Sequence, residues 1–253
     1  MRIFILVALI FSGNIFAQDI NQMFSQVQQA VRDAGSAPQP GCPHCLSDTR
    51  LKKYPLPETP STFNVKCRNF IKSDGTFGDW GKMIVTYINK TEERQKRYYN
   101  PALPGMQSAP HTCPNWGNMD YNEKAQFWVW TFASIAHVES SCDNRSVNTG
   151  SVPNPNDRPR GLFQLNTLKS TRSWRGPNCK FPSGAENVYN PANNIHCSLD
   201  IMDELLKGRS GEYQSNGKIF PTNSYWEKLR PNHSSTGGKI GQLIRMFPGC
   251  KLQ

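Results

Sequence analysis

Between Ala125 and Val138 the chain places Phe127, Trp128, Val129, Trp130, Phe132, Ala133, Ile135, Ala136 and Val138, which makes a helix apolar on almost every side. Such a helix has no face for water and must lie inside a packed domain. Asp120 followed three residues later by Glu123 has the spacing of a capping box and sets its start. A second helix is expected from Pro191, a good first-turn residue, through Ile195, Leu199, Met202 and Leu206 to a stop at Gly208. Ile240, Leu243, Ile244 and Phe247 mark a third, shorter one. Residues 111–253 therefore read as a mainly α domain with long loops between its helices.

The first residues set the compartment. Arg2 precedes an unbroken apolar run from Ile3 to Phe11, and Ile15-Phe16-Ala17 offers a small-residue cleavage point before Gln18, so residues 1–17 read as a signal peptide. The mature chain is expected to be exported, periplasmic or secreted. No segment approaches the roughly 20 apolar residues that a spanning helix needs, so no stable membrane insertion is expected. Eight cysteines in an exported chain can close as many as four disulfides, and sequence does not select among the connectivities. Without residues 1–17 the charge is 28 Lys+Arg against 19 Asp+Glu, a net +9. That surface favours polyanions, which for an exported chain means wall polymers and anionic membrane surfaces. No stripe of clustered Lys/Arg interleaved with aromatics points to nucleic acid. A monomer is expected.

Residues 18–110 read as an N-terminal extension. Asp19 to Ala34 carries Ile20, Met23, Phe24, Val27 and Val31 at helical spacing and stops at Gly35. Residues 36–62 are rich in Pro and Ser and hold Cys42-Pro43-His44-Cys45. That motif has the form of a thiol oxidoreductase site or of a zinc site from Cys42, His44 and Cys45, but a Pro-rich stretch lacks the strand-to-helix setting of the first, and an oxidising compartment favours disulfides over zinc. No metal or cofactor is expected. Phe63, Val65 and Cys67 alternate, Met83 to Ile88 is β-prone, and Asp74-Gly75 and Gly78 supply turn residues, which suggests a β-hairpin.

Glu139 ends the apolar run in Ala136-His137-Val138-Glu139-Ser140-Ser141. Desolvation by the helix and the negative partial charge of its C-terminus both favour the protonated carboxyl. Glycoside cleavage uses such a group, since an acid must protonate the leaving oxygen as the sugar gains oxocarbenium character. Glutamate at a helix end is more often solvated or ion-paired, so this residue needs further support.

The support is a resemblance. Glu139-Ser140, then Gly161-Leu162-Phe163-Gln164-Leu165, then Tyr189-Asn190-Pro191-Ala192-Asn193-Asn194-Ile195 resemble, in order, three motifs of the soluble lytic transglycosylases of the lysozyme-like superfamily. The likeness spans roughly residues 125–207. It implies a lysozyme-like fold of the transglycosylase SLT type, with Glu139 as the catalytic acid. It also implies Ser140, Gly161, Leu162, Gln164 and Tyr189 beside the sugar cleft, and glycan strands of peptidoglycan as substrate. The bond cut would be the β-1,4 link between N-acetylmuramic acid and N-acetylglucosamine, with modified, for example deacetylated, glycan as a further option.

Three departures stand out. Glu139 and Gln164 lie 25 positions apart, with the excess in the Pro-, Asn- and Arg-rich stretch 151–160, where Arg158 and Arg160 offer cations to an acidic substrate group. The family's late Ala-x-Tyr-Asn-Ala-Gly motif is missing, and Asn223-Ser224-Tyr225-Trp226 stands in its region, giving Tyr225 as a substrate-binding candidate and Trp226 as a ring for stacking or core. Cys142 and Cys197 flank the site, and a disulfide from Cys142 would brace the acid. Asp143, Asp157 and Glu186 are candidates for a second carboxylate, which a hydrolase would use and a transglycosylase would not. The competing readings are a non-catalytic wall-binding protein and the thiol oxidoreductase.

Overall fold

In the computed structural model the described residues form five α-helices in order, α1 Asp79–Asn89, α2 Glu92–Tyr98, α3 Tyr121–Ser140, α4 Pro191–Leu206 and α5 Gly237–Arg245, with short 3-10 turns between them. The residues described are 52–58, 62–106, 113–150, 154–166, 173–181, 186–208, 217–219, 221, 223–230 and 237–251. The expected signal peptide, the helix Asp19 to Ala34 and Cys42-Pro43-His44-Cys45 lie outside them.

Helix α3 is the apolar run, and it is the centre of the molecule. Its first turn is the expected capping box: the Asp120 carboxylate accepts from Glu123 N at 2.8 Å, and Glu123 Oε2 accepts from Asp120 N at 3.2 Å. Phe127, Trp128, Val129, Trp130, Phe132, Ala133 and Ile135 are all fully or almost fully buried. Each large apolar side chain buried this way contributes about 1.5–3 kcal/mol. The indoles reach carbonyls rather than losing their hydrogen bonds: Trp128 Nε1 donates to Tyr98 O and Trp130 Nε1 to Leu243 O, both at 2.7 Å. Helices α1 and α5 and the turn Glu227–Leu229 pack on α3, while α4 packs on α1 and on the turn Pro177–Cys179.

The hairpin expected between residues 63 and 88 is not formed. Cys67 belongs to a 3-10 turn, Val65–Asn69, and Met83 to Ile88 belongs to α1. The β-prone residue types misled, because the buried positions Gly81, Ile84, Val85 and Ile88 follow the spacing of a helix face and not the alternation of a strand. What survives of the hairpin is its turn, closed by a single antiparallel bridge between Ile71 and Phe77. Among the described residues there are isolated bridges and no strands.

Residues 52–106 share one core with the later helices. Phe63 meets Trp130 edge-on at 5.6 Å, and Phe70 meets Phe163 at 6.2 Å. Gly81 lets α1 close onto the chain, since a Cβ there would collide with Phe70 O and meet Val129 Cγ1 at 3.0 Å. Among the described residues three disulfides tie these parts together: Cys67–Cys142, Cys113–Cys250 and Cys179–Cys197. The first joins the 3-10 turn before α1 to the residue just beyond the end of α3.

Candidate active site

At that end α3 stops abruptly. Ser141 and Cys142 both take left-handed backbone angles, φ 55° and 59°, which is uncommon for residues bearing a Cβ. They are held by Ser141 N donating to His137 O at 2.8 Å, Cys142 N to Ala136 O at 3.1 Å, and the disulfide to Cys67. The last turn of α3 is thereby fixed, and Glu139 lies on it.

Glu139 opens into a cleft of about 590 Å3, a size suited to a ligand of several rings. Its side chain is only 11% exposed. Burial pushes the carboxyl up to about 7; the nearby Lys228 ammonium opposes this and the Glu227 carboxylate adds to it. Lys228 Nζ lies 3.8 Å from Glu139 Oε2 and donates to Val138 O at 3.1 Å. Around the acid, Asn148, Thr149 and Asn166 bring amide and hydroxyl groups, and Tyr225 brings an aromatic ring. The Tyr225 hydroxyl accepts from Asn166 N at 3.3 Å, and its ring faces the Arg175 guanidinium at 4.8 Å.

The three sequence motifs lock onto one another behind this wall. Asn194 Oδ1 accepts from Phe163 N at 3.0 Å, while its Nδ2 donates to Val188 O at 2.9 Å and Arg160 O at 3.3 Å. Gly161 adopts φ 76°, and Gly161 N donates to Ser146 O at 2.8 Å. Ser140 Oγ sits 2.8 Å from Leu162 O and 2.9 Å from Ala136 O, which joins the end of α3 to the second motif. Gln164, at φ 48°, donates from Nε2 to Gly161 O at 2.9 Å and Ser146 O at 3.3 Å.

Of the residues singled out from sequence, Glu139, Gln164, Tyr225 and Trp226 therefore line the cleft together. Leu162 is fully buried, and Ser140, Gly161 and Leu162 stand behind the wall rather than on it. Tyr189 is outside the cleft; its carbonyl accepts from Asn144 Nδ2 at 3.0 Å, and Arg145 lies over its ring at 5.8 Å. Trp226 borders the cleft but is almost wholly buried in the core, its Nε1 donating to Phe163 O at 3.1 Å. The Arg160 guanidinium turns inward to the carbonyls of Pro155, Asn156 and Arg158, so it shapes the inserted loop instead of facing ligand. Cys197 pairs with Cys179 and not with Cys142.

Asp143 and Glu186 are engaged at the surface by Lys66 and Arg145, and neither they nor Asp157 line the cleft. The second carboxylate on the cleft wall is Glu227, which sequence reading passed over together with Arg175 and Lys228. None of the three belongs to a recognisable motif. Among the described residues no group of three or more His, Cys, Asp or Glu is placed to hold a metal ion, and no helix is long and apolar enough to cross a membrane.

A search of the curated proteins found no match. Among solved structures, Bd0314 DslA in its wild-type form 2 is similar with a TM-score of 0.51 at 18% identity, covering 68% of this chain and 91% of that one. A glutamate-to-glutamine mutant of DslA gives a TM-score of 0.53 at 18% identity, over 76% of this chain and all of that one. At this identity the likeness speaks for the fold. The family model described as the Transglycosylase SLT domain matches residues 118–225, a stretch that contains Glu139, Gln164, Asn194 and Tyr225. Residues 118–225 are thus a transglycosylase SLT domain of the lysozyme-like superfamily, set in a mainly helical, disulfide-linked fold.

Proposed function

We propose that this chain cleaves peptidoglycan glycan strands at the β-1,4 bond between N-acetylmuramic acid and N-acetylglucosamine, with Glu139 as general acid and then base. The observation that carries the reading is a buried carboxyl, held protonated up to about 7, on the wall of a sugar-sized cleft in an SLT domain. Protonated Glu139 gives its proton to the glycosidic oxygen as the C1–O bond breaks, and the sugar becomes oxocarbenium-like. The resulting carboxylate then takes a proton from whichever hydroxyl attacks C1. Attack by the muramic acid's own 6-hydroxyl gives a 1,6-anhydro end; attack by water gives a reducing end.

Gln164, Asn166 and Tyr225 orient the strand, supplying amide and hydroxyl partners and an aromatic surface. Glu227 supplies an anion on the same wall that the free ammonium of a deacetylated sugar would meet. The chain works outside the cytoplasm, in agreement with the disulfides Cys67–Cys142, Cys113–Cys250 and Cys179–Cys197 and the apolar start of the sequence.

Mass spectrometry of fragments released from purified peptidoglycan tests the reading. Fragments with anhydro-muramic ends assign a transglycosylase, and reducing ends assign a hydrolase. Running native and de-N-acetylated walls side by side reads the acetyl preference. Binding to the wall with no fragment from either substrate would make the chain a wall-binding protein and end the proposal.

A further inference from the structure

The residue beside the acid is a lysine, and its arrangement is unusual for an ion pair. Lys228 opens no motif and lies just past the stretch that the family model matches. It stands in the 3-10 turn Glu227–Leu229, which packs on α3. Its ammonium donates to Val138 O at 3.1 Å, one of the last carbonyls of α3, which have no partner further along the helix. The same Nζ is 3.8 Å from Glu139 Oε2, beyond the length of a charge-assisted hydrogen bond. The lysine is thus fastened to the backbone beside the acid and kept one short movement away from the carboxyl itself.

We propose that Lys228 is a positioning residue for the cleavage: it pins the end of α3 through Val138 and waits as counter-cation for the carboxylate that Glu139 becomes on giving up its proton. The proposal rests on the reading of Glu139 as the acid. A neutral carboxyl gains little from the ammonium, whereas the anion formed as the glycosidic bond breaks gains a full opposite charge, so the interaction grows along the reaction. Placement on the backbone means that the cation is already oriented when that charge appears.

Among the described residues few other charges face this carboxyl. On the lysine's own turn Glu227 opposes its effect. Across the cleft stand the Tyr225 phenol and, behind it, Arg175. On α3 itself His137 is turned toward Asn64 N, which donates to its Nδ1 at 3.3 Å. The described residues on the loop side of the cleft, among them Ser146, Asn148, Thr149 and Gln164, bring no titratable group.

The test is a carboxyl-carbon NMR titration of the full mature chain with labelled glutamate, the Glu139 signal being assigned by its loss in Glu139→Gln. In Lys228→Met the Glu139 midpoint is expected to rise by about one pH unit, the lower end of what an opposite charge at this range supplies. Lys228→Arg restores it. Lys228→Gln keeps a donor for Val138 O without the charge, so it reproduces the shift in a chain whose helix end is still held. On wall substrate kcat falls about tenfold in Lys228→Met with KM within twofold, and the basic limb of the pH profile follows the NMR midpoint.

A Glu139 midpoint unchanged in both Lys228→Met and Lys228→Gln overturns the proposal, whatever the rates do. Retained cleavage by Glu139→Gln would instead remove the reading of Glu139 as the acid, and the titration would still report on Lys228 by itself.

Discussion

The side chain of Asn194 fills the space that a Cβ on Gly161 would need. One amide on α4 thereby holds the turn that carries Gln164 into the cleft, through its bonds to Phe163 N, Val188 O and Arg160 O. Gly161→Ala meets both this collision and the left-handed backbone, and is expected to cost about 2–4 kcal/mol. Asn194→Ala leaves buried backbone groups unpaired and is expected to cost about 2–3 kcal/mol. Both lower Tm and the rate of wall clearing together; thermal melts that leave either variant at the wild-type Tm would contradict the locking role.

Burial sets a pH dependence with a definite sign. The Glu139 carboxyl goes from an ordinary value of 4.5 to about 7 in the folded chain, so the folded state holds this proton more tightly than the unfolded one. The stability from that proton is complete below pH 4.5 and is lost as pH rises through about 7. Glu139→Gln lacks the term. Between pH 4 and pH 8 the wild-type chain should lose up to about 3 kcal/mol relative to this variant, as read from denaturant melts. A difference that stays flat with pH would mean that Glu139 is not held protonated.

The Cys67–Cys142 bridge closes a loop of 75 residues and pins the two left-handed residues after α3. Its replacement by two alanines is expected to lower stability by about 4 kcal/mol on loop entropy. Because Glu139 sits three residues before Cys142, the rate of wall clearing should fall by more than the loss of folded chain explains. Equal specific activity per folded molecule would show that the bridge serves stability alone.

The segment that matches the SLT model is not expected to fold by itself. Phe63, Phe70 and Cys67 lie before it, and Trp226, Leu243, Phe247 and Cys250 lie after it, all in the core around α3. A chain cut to residues 118–225 should show no cooperative thermal transition by circular dichroism. A sharp transition would make the flanking parts accessory.

Much of this could be read directly because local rules decide it. The apolar run with its Asp120–Glu123 box, the stretch opening at Pro191 and the spacing of Ile240, Leu243 and Ile244 each specify a helix, and the structure places helices at all three. The expected hairpin is absent because the β-prone residues 83–88 lie at the spacing of a helix face, and α1 is set by what it packs against. The cleft was only partly legible. Glu139, Gln164 and Tyr225 stand in ordered motifs or their expected region, while Glu227, Lys228 and Arg175 come to the cleft only through tertiary packing of distant loops. Arg160 shows the reverse case, a charge that looked available and is spent on carbonyls of its own loop.

The central claim is that one buried carboxyl does the chemistry, and the most direct measurement is the rate of fragment release from purified walls by wild type and Glu139→Gln at equal folded concentration. The account predicts a fall of at least about a thousandfold, with wall binding, circular dichroism and disulfide content unchanged, since the amide cannot give up a proton. Release by Glu139→Gln within tenfold of wild type would contradict it, and the acid would have to be sought elsewhere on the cleft wall, beginning with Glu227.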